Sequence, residues 1–423
     1  MFSKIKKIKN NKTLINGSLF SIYSLFNQGV SFLLLILLAG YIEPAQYGKL
    51  SLFNTIVQFL GYFIAFSTQG YLSVSYFQRA KQYFSKDFST ICLISLIVTI
   101  FIFLLLCTFG NILSSLADLP EIFLWIAVII SLFQIIWSML LDYYRILEIV
   151  GKYGLYSCAF VILNFVLSIY LVIFKEQDWE GRIYAQLICT IIFGIIAIFV
   201  FAKHSLFTLK INLADAKTIL FWGIPLIPHL ASIWIKQGGD RFIINHYHTI
   251  EDVGIFSFAL NLASIIFMIG SAFNATNSVS IYQVLSSDYN PSEKKIALKK
   301  QTKTTMLIYI LATIFVVTMV SLFIPLLLPK YSPAIPYFFI LSIQGLGQCF
   351  YFLFCNYLFY YHKNKYIMYV TFGTAILHLI LSLILTKYSL YYTCILYVGI
   401  QFLIVALIYN LAKKTLNANL INK

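Results

Sequence analysis

Long apolar stretches recur from one end of this chain to the other, and short polar joints separate them. A helix of about 20 residues crosses a bilayer core of about 30 Å. The stretches are continuously apolar and do not alternate residue by residue, which indicates helices and not barrel strands. The pattern predicts twelve transmembrane helices, at residues 14–41, 47–78, 88–112, 121–147, 152–174, 180–202, 217–245, 252–285, 303–328, 332–361, 365–386 and 389–412.

The composition agrees with a membrane protein. Charged residues make up 11% of the 423 residues and hydrophobic residues 60%, whereas soluble domains have about 25% and 45–50%. The longest joint between predicted spans, residues 286–302, is too short for a folded soluble domain. An enzyme with a separate catalytic domain is therefore not expected.

The distribution of positive charge predicts the orientation. Of the 30 Lys and Arg residues, 23 lie in the two termini and in every second joint, and seven lie on the opposite side. The positive-inside rule therefore places both termini in the cytoplasm. A net charge of +15 distributed in this way favours membrane lipids as partners and argues against nucleic acid.

The two halves of the chain resemble each other. At a shift of 206 residues, "QYGKLSLF" (46–53) aligns with "DVGIFSFA" (252–259), which pairs Gly48 with Gly254. A repeat unit of six spans enters the membrane the same way in both copies. The sequence therefore predicts an all-α polytopic protein with two six-helix lobes related by a parallel internal repeat. The predicted parts are an N-terminal lobe (1–202), a cytoplasmic linker (203–216) and a C-terminal lobe (217–423).

The predicted seventh span carries three charges, Lys236, Asp240 and Arg241. Each costs about 2.5–3.5 kcal/mol to insert at a helix centre, so this part of the helix should contact protein or water. Lys236 and Asp240 are four residues apart, share a face with His229, and are expected to neutralise each other. Arg241 is about 100° further round the helix and needs another partner.

Two interpretations of these charges stay open. If the helix continues through residues 242–245, the charges lie inside the membrane and line a cavity; if it ends at Gly239, they form an interfacial cluster. Pro225, Pro228 and the Gly238-Gly239 pair predict a kinked or broken helix. Broken helices line water-filled paths in transporters, although a kink that only improves packing is the alternative.

Other polar residues within the spans are weaker candidates, because hydrogen bonding between helices explains any one of them. The seven cysteines and the His246-x-His248 pair lack the spacing of a zinc site, so no metal is expected. The weaker candidates are Gln28, Asn54, Gln58, Gln69, Gln134, Asn164, Asn261, Asn274, Asn277, Gln344, Gln348, Asn356 and His378.

Residues 37–78 and 223–273 resemble the Wzx-type polysaccharide flippases, within the multidrug/oligosaccharidyl-lipid/polysaccharide exporter superfamily. The most specific part is Pro225 and Pro228 followed by Asp240-Arg241 and then Val253-Gly254. One feature differs: many members carry an arginine near the end of the first span, where this chain has "LLAGYIEP" (37–44). A role for a cation at that position is therefore in doubt.

The resemblance implies a non-enzymatic flippase in the bacterial cytoplasmic (inner) membrane. It would move undecaprenyl-pyrophosphate-linked oligosaccharide repeat units by alternating access, for O-antigen or capsule synthesis, beside a polymerase and glycosyltransferases. Lys236 and Arg241 are the expected anion-binding residues, with Asp240, His229 and Gln28 as further substrate-site candidates. No cofactor is expected; a coupling ion, either a proton or sodium, stays open. A cation-coupled multidrug antiporter of the same superfamily is the alternative.

Overall fold

The computed structural model describes the backbone of residues 2–65, 68–78, 81–208, 213–224 and 227–421, and every regular element within these ranges is helical. The α-helices are α1 (Phe2–Ala39), α2 (Pro44–Ala65), α3 (Gln69–Gln78), α4 (Lys81–Ala117), α5 (Glu121–Ile146), α6 (Val150–Ile169), α7 (Asp178–Lys203), α8 (Leu213–Gly223), α9 (Ile227–Trp234), α10 (Asp240–Tyr247), α11 (Ile250–Ser286), α12 (Pro291–Leu327), α13 (Ile335–Tyr360), α14 (Asn364–Leu385) and α15 (Leu390–Ile421). Two π-helical turns, Tyr170–Phe174 and Ile235–Gly239, and a 3-10 turn, Pro329–Ala334, continue neighbouring helices.

Eleven stretches of the described chain are helices long and apolar enough to cross a membrane. They match every predicted span except the seventh. Their surfaces carry large apolar side chains such as Leu104, Phe199 and Leu326, which are 61%, 71% and 74% exposed. A protein in water does not normally expose so much contiguous apolar surface. The chain is therefore a multi-pass, all-helical membrane protein.

The N-terminal compact unit is Met1–Leu230. Its central helix is α5, which packs against α2, α4 and α7, while α6 packs against α1 and α7. The short helix α8 packs against α3 and α4, and its Trp222 ring meets Tyr71 edge-on at 5.8 Å. The predicted linker at residues 203–216 includes residues outside the described ranges, and it stays a prediction.

The C-terminal compact unit, Ala231–Lys423, repeats this packing scheme. Its central helix α13 packs against α11, α12 and α15, while α14 packs against α10 and α15. Counted within each unit, α5 and α13 are the fourth spans, and α6 and α14 are the fifth. In both units the fourth span contacts the second, third and sixth spans, and the fifth span contacts the first and the sixth. The same contact pattern in both halves confirms the predicted internal repeat.

The helix α12 begins well before the predicted ninth span, residues 303–328. The structure has one 37-residue helix from Pro291. A capping box between Asn290 and Glu293 starts it, and no Gly or Pro follows before the membrane-spanning part to interrupt it.

Close contact between α11 and α13 depends on two glycines. A Cβ atom at Gly270 would collide with the Cys349 sulfur, and one at Gly345 would lie 3.2 Å from Ile266 Cβ and 3.3 Å from the Ala263 carbonyl oxygen. Small residues allow helices in a membrane to approach closely, which increases their packing contacts. Gly270 and Gly345 therefore set the separation of these two helices.

We expect Gly270→Val to lower the free energy of unfolding by about 1–3 kcal/mol, because extra methyl groups in a packed interface force neighbours apart. The matched control is Gly373→Val on α14, where a Cβ meets nothing within 4 Å. Thermal unfolding in detergent measures both variants, and adding Cys349→Ala to Gly270→Val should recover part of the loss. Equal midpoints for Gly270→Val and Gly373→Val would contradict this account of the interface.

Candidate functional site

The seventh membrane segment is broken, as its prolines and glycines predict. It consists of the short helices α8, α9 and α10, with the π-helical turn Ile235–Gly239 between the last two. Pro228 is the second residue of α9, where a missing N–H costs nothing; Pro225 lies outside the described residues. Such π-turns occur frequently at functional sites, and this one leads directly into Asp240.

Asp240, the first residue of α10, is the centre of a buried polar cluster. Its side chain is 2% exposed. One carboxylate oxygen lies 2.6 Å from His378 Nε2, and Ser382 donates a hydrogen bond to the other. His378 and Ser382 are one turn apart on α14, so both reach the same carboxylate. The contacts supply partners for a buried acid that would otherwise be costly to hold in the membrane.

Hydroxyl groups extend the cluster. Ser382 Oγ lies 3.2 Å from Thr386 Oγ1, and Thr393 on α15 donates to the same Thr386 oxygen at 2.9 Å. All three hydroxyl residues are fully buried. We call Asp240, His378, Ser382, Thr386 and Thr393 the Asp240 cluster. It joins α10, α14 and α15 through one chain of hydrogen bonds.

The end of the seventh segment also forms a hydrogen bond with the Asp240 cluster. His248, just after α10, lies with Nε2 2.5 Å from the Thr386 carbonyl oxygen. The ring of Tyr397 on α15 packs edge-on against His378, with centroids 4.9 Å apart. The first contact holds the end of α10 against the end of α14, and the second packs against the His378 ring.

The central contact of the Asp240 cluster joins a carboxylate to an imidazole. Within the described residues, the Asp240 carboxylate is the acceptor that faces His378 Nε2, and His378 Nδ1 has no hydrogen-bond partner. A carboxylate and an imidazole in direct contact are chemically able to pass a proton between them. Both side chains are buried, so this contact also holds α10 against α14.

The predicted pairing of Asp240 with Lys236 is not what the structure has. Asp240 pairs with His378. The expected pair depends on an α-helical register, but a π-helical turn with i→i+5 hydrogen bonds runs from Ile235 to Gly239. The register assumed from the sequence is therefore interrupted between the two side chains.

The two cations occupy different surroundings. Lys236 lies within the π-helical turn and is partly buried. Arg241, also partly buried, donates from Nε to the Ser257 hydroxyl on α11 at 3.0 Å. The helix continues through residues 242–245 to Tyr247, which is the geometry that the cavity interpretation requires. Whether either cation binds substrate stays a prediction.

The remaining predicted site residues lie elsewhere or outside the description. Gln28 on α1 is exposed and donates to the Ser24 hydroxyl at 3.0 Å. The His229 side chain lies outside the described part of the structure.

Sequence reasoning ranked His378 low and missed the three hydroxyl residues. A signal was present: His378, Ser382 and Thr386 repeat every four residues along an otherwise apolar span. This spacing places all three on one helix face. A polar stripe on a membrane helix is costly unless another polar group meets it, so the stripe should have suggested a partner such as Asp240.

This protein is therefore a multi-pass membrane protein of two repeated six-helix units, with a broken and charged seventh helix. The chain belongs to the polysaccharide biosynthesis protein family, whose model matches residues 14–280. The resemblance to the Wzx-type polysaccharide flippases is thereby confirmed.

Two proteins of Haemophilus influenzae are similar along most of their length. "Lsg locus putative protein 1" is 23% identical over 365 residues, which cover 84% of this chain and 87% of that protein. An "Uncharacterized membrane protein" is 23% identical over 383 residues, which cover 86% and 88%. The match therefore includes both units of the chain.

Solved structures of transporters share the fold. The inward-facing conformation of a multidrug resistance MATE family transporter of the MOP superfamily has a TM-score of 0.72 and 14% identity, with 92% of this chain and 95% of that one covered. The lipid II flippase MurJ, in an inward closed conformation, has a TM-score of 0.71 and 16% identity, with 94% and 89% covered. At these identities the likeness shows the fold alone.

Proposed function

We propose that this protein is a flippase that moves undecaprenyl-pyrophosphate-linked oligosaccharide repeat units across the cytoplasmic membrane for surface polysaccharide synthesis. The observation that carries the proposal is the family match over residues 14–280, which includes the whole broken and charged seventh segment. The likeness of the fold to a lipid II flippase agrees with a lipid-linked substrate.

The chemistry of the substrate explains why such a segment is useful. A sugar–pyrophosphate headgroup is polar and anionic, so it needs a hydrated path with positive charge, while its lipid tail can stay in the bilayer. Lys236 and Arg241 supply the positive charge, with Gln28 and His229 as further polar contacts. In this proposal the two lobes, 1–202 and 217–423, alternate in access around the linker 203–216, with both termini in the cytoplasm.

We assign the coupling role to the Asp240 cluster. Binding of an ion drives alternating access only if the ion binds the two states with different affinity. Of the two candidate ions, a proton suits the 2.6 Å contact between the Asp240 carboxylate and His378 Nε2 better than sodium does, because the imidazole occupies one face of the carboxylate. Loading or unloading a proton there changes the packing of α10 against α14.

A cation-coupled multidrug antiporter is the second candidate. The observation in its favour is the TM-score of 0.72 to a multidrug resistance transporter. The family match favours the flippase, because the model that matches is that of a polysaccharide biosynthesis protein. A polymerase and glycosyltransferases are the partners that the flippase requires, since its substrate must be built before transport and joined afterwards.

Deleting the gene and restoring it on a plasmid separates the two functions. We expect deletion to abolish the surface glycan and to leave susceptibility to cationic drugs unchanged, and the restored gene to return the glycan. Extracted lipids of the deletion strain should accumulate the undecaprenyl-pyrophosphate-linked repeat unit on the cytoplasmic side. Normal glycan together with increased drug susceptibility would instead establish the antiporter.

A further inference from the structure

A second polar cluster, partly buried, lies in the N-terminal unit around Arg182 on α7. Arg182 Nη1 donates to the Asn164 side-chain oxygen at 2.8 Å and to the Ser168 hydroxyl at 3.3 Å. Asn164 and Ser168 are one turn apart on α6, and Ser168 also donates to the Asn164 carbonyl oxygen at 2.6 Å. Both acceptors are neutral, so they satisfy part of the guanidinium without cancelling its charge.

The rest of the guanidinium faces a cavity of about 170 Å³ in the same unit. One water needs about 15 Å³ by this measure, so the space holds a small ion with several waters. Gln134 on α5 and Gln186 on α7 contribute amide groups to its wall, and Ser31 on α1 contributes a hydroxyl. None of the described side chains that line the cavity is a carboxylate.

The internal repeat shows what this cluster lacks. His378 and Ser382 lie 214 residues after Asn164 and Ser168, and the same shift separates the first residues of α6 and α14. The two pairs therefore occupy equivalent places on the fifth span of each unit. In the C-terminal unit, this place is filled by the carboxylate of Asp240.

The N-terminal unit has an apolar residue where that carboxylate would be. At the 206-residue shift that aligns Gly48 with Gly254, Asp240 aligns with Leu34, which lines the Arg182 cavity. The C-terminal unit thus has an acidic side chain at this place, whereas the N-terminal unit has an arginine beside an open space. The Arg182 guanidinium has only neutral hydrogen-bond partners, and an anion from outside the chain would balance its charge and accept from its remaining N–H groups.

We propose that the cavity at Arg182 binds one small anionic group of phosphate or chloride size. Arg182 supplies the charge and two to three N–H donors that have no partner within the described residues, and the amides of Gln134 and Gln186 supply further donors. The group comes either from a free inorganic anion or from the phosphate of a membrane lipid. None of the described residues that line the cavity belongs to the seventh segment, and the proposal does not depend on the proposed transport of glycans.

The test measures thermal unfolding of the purified full-length protein in detergent. Chloride, inorganic phosphate or undecaprenyl phosphate is added against a background of gluconate at constant ionic strength. An anion that binds the folded state raises the unfolding midpoint in a saturable way. We expect at least one of the three to do so for the wild type, and which one does identifies the source.

Three variants locate the binding. Arg182→Gln should weaken it by roughly ten- to a hundredfold, because a charge-assisted hydrogen bond and the charge are both lost. Asn164→Asp places a carboxylate against Arg182, so it should remove the response to added anions and raise the midpoint in gluconate alone. Arg145→Gln, which removes an arginine paired with Asp142 at 3.1 Å in the same unit, should respond like the wild type.

If Arg182→Gln does not fold, Asn164→Asp still tests whether Arg182 binds the anion, because an internal ion pair is expected to leave the fold intact. An anion response in Asn164→Asp equal to that of the wild type would overturn the proposal. So would a wild type that responds to none of the three anions. None of these measurements requires transport, so a failure of the flippase proposal would leave them unaffected.

Discussion

Replacing Asp240 with alanine is expected to lower the free energy of unfolding by about 2–6 kcal/mol, because two buried groups lose their hydrogen-bond acceptor and each such loss costs about 1–3 kcal/mol. The Asp240 and His378 side chains are 2% and 1% exposed. Without the carboxylate, His378 Nε2 and the Ser382 hydroxyl lose the acceptor that holds them. Thermal unfolding in detergent, together with an assay of surface glycan, measures both the loss of stability and the expected loss of export.

Two further variants separate stability from proton exchange. Asp240→Asn keeps the shape and most hydrogen bonds but cannot exchange a proton, so it should lose export with a smaller loss of stability than Asp240→Ala. Asp252→Ala, which breaks the capping box of α11, should cost about 1 kcal/mol and retain export. If Asp240→Ala matches Asp252→Ala in stability, the cluster does not contribute as described. Normal export by the Asp240→Asn variant would show that Asp240 is not the coupling site.

The second large effect is expected from the two cations. Lys236→Ala and Arg241→Ala should each leave the protein in the membrane at normal levels but abolish the surface glycan. Truncating one partner of a desolvated charge contact costs at least about 2 kcal/mol, or roughly thirtyfold in affinity. Immunoblots of membranes measure the protein, and glycan-specific staining measures export.

The matched control is Lys387→Ala, in the same unit. Lys387 follows α14, and its ammonium lies 4.8 Å from the ring centre of Tyr388, so it is a cation outside the proposed site. It should export normally. Full export in both Lys236→Ala and Arg241→Ala would remove these residues from the substrate site, whereas loss in Arg241→Ala alone would leave Lys236 without a role.

Most of the fold is predictable because the membrane imposes it. A span must satisfy its backbone internally and cover about 30 Å with apolar side chains, so eleven of the twelve predicted spans match helical stretches of the described chain that are long and apolar enough to cross a membrane. The break in the seventh follows from Pro228 and Gly238-Gly239. The π-helical turn at Ile235–Gly239 was not predictable in detail, since its bonding depends on which partners meet it.

The site was only half predictable. Sequence reasoning found Asp240 as a charge that must be satisfied, because the cost of burying a carboxylate is a property of the residue itself. The expected partner of Asp240 was Lys236, the nearest opposite charge, since local spacing is the information that a sequence carries directly. The actual partner, His378, is 138 residues away. Arg182 was not predictable as a site residue, because nothing near it in sequence marks a cavity.

Hydropathy, helix breaking and the cost of buried charge act within a single stretch of chain, so they predict a membrane protein of repeated helical spans with a broken and charged seventh segment. Which polar groups meet depends instead on how the helices pack. Packing of α14 against α10 brings the His378-Ser382 stripe to Asp240, while packing of α6 against α7 leaves Arg182 facing an open cavity. Those partners are distant along the chain, and the folded helices alone bring them within hydrogen-bond distance.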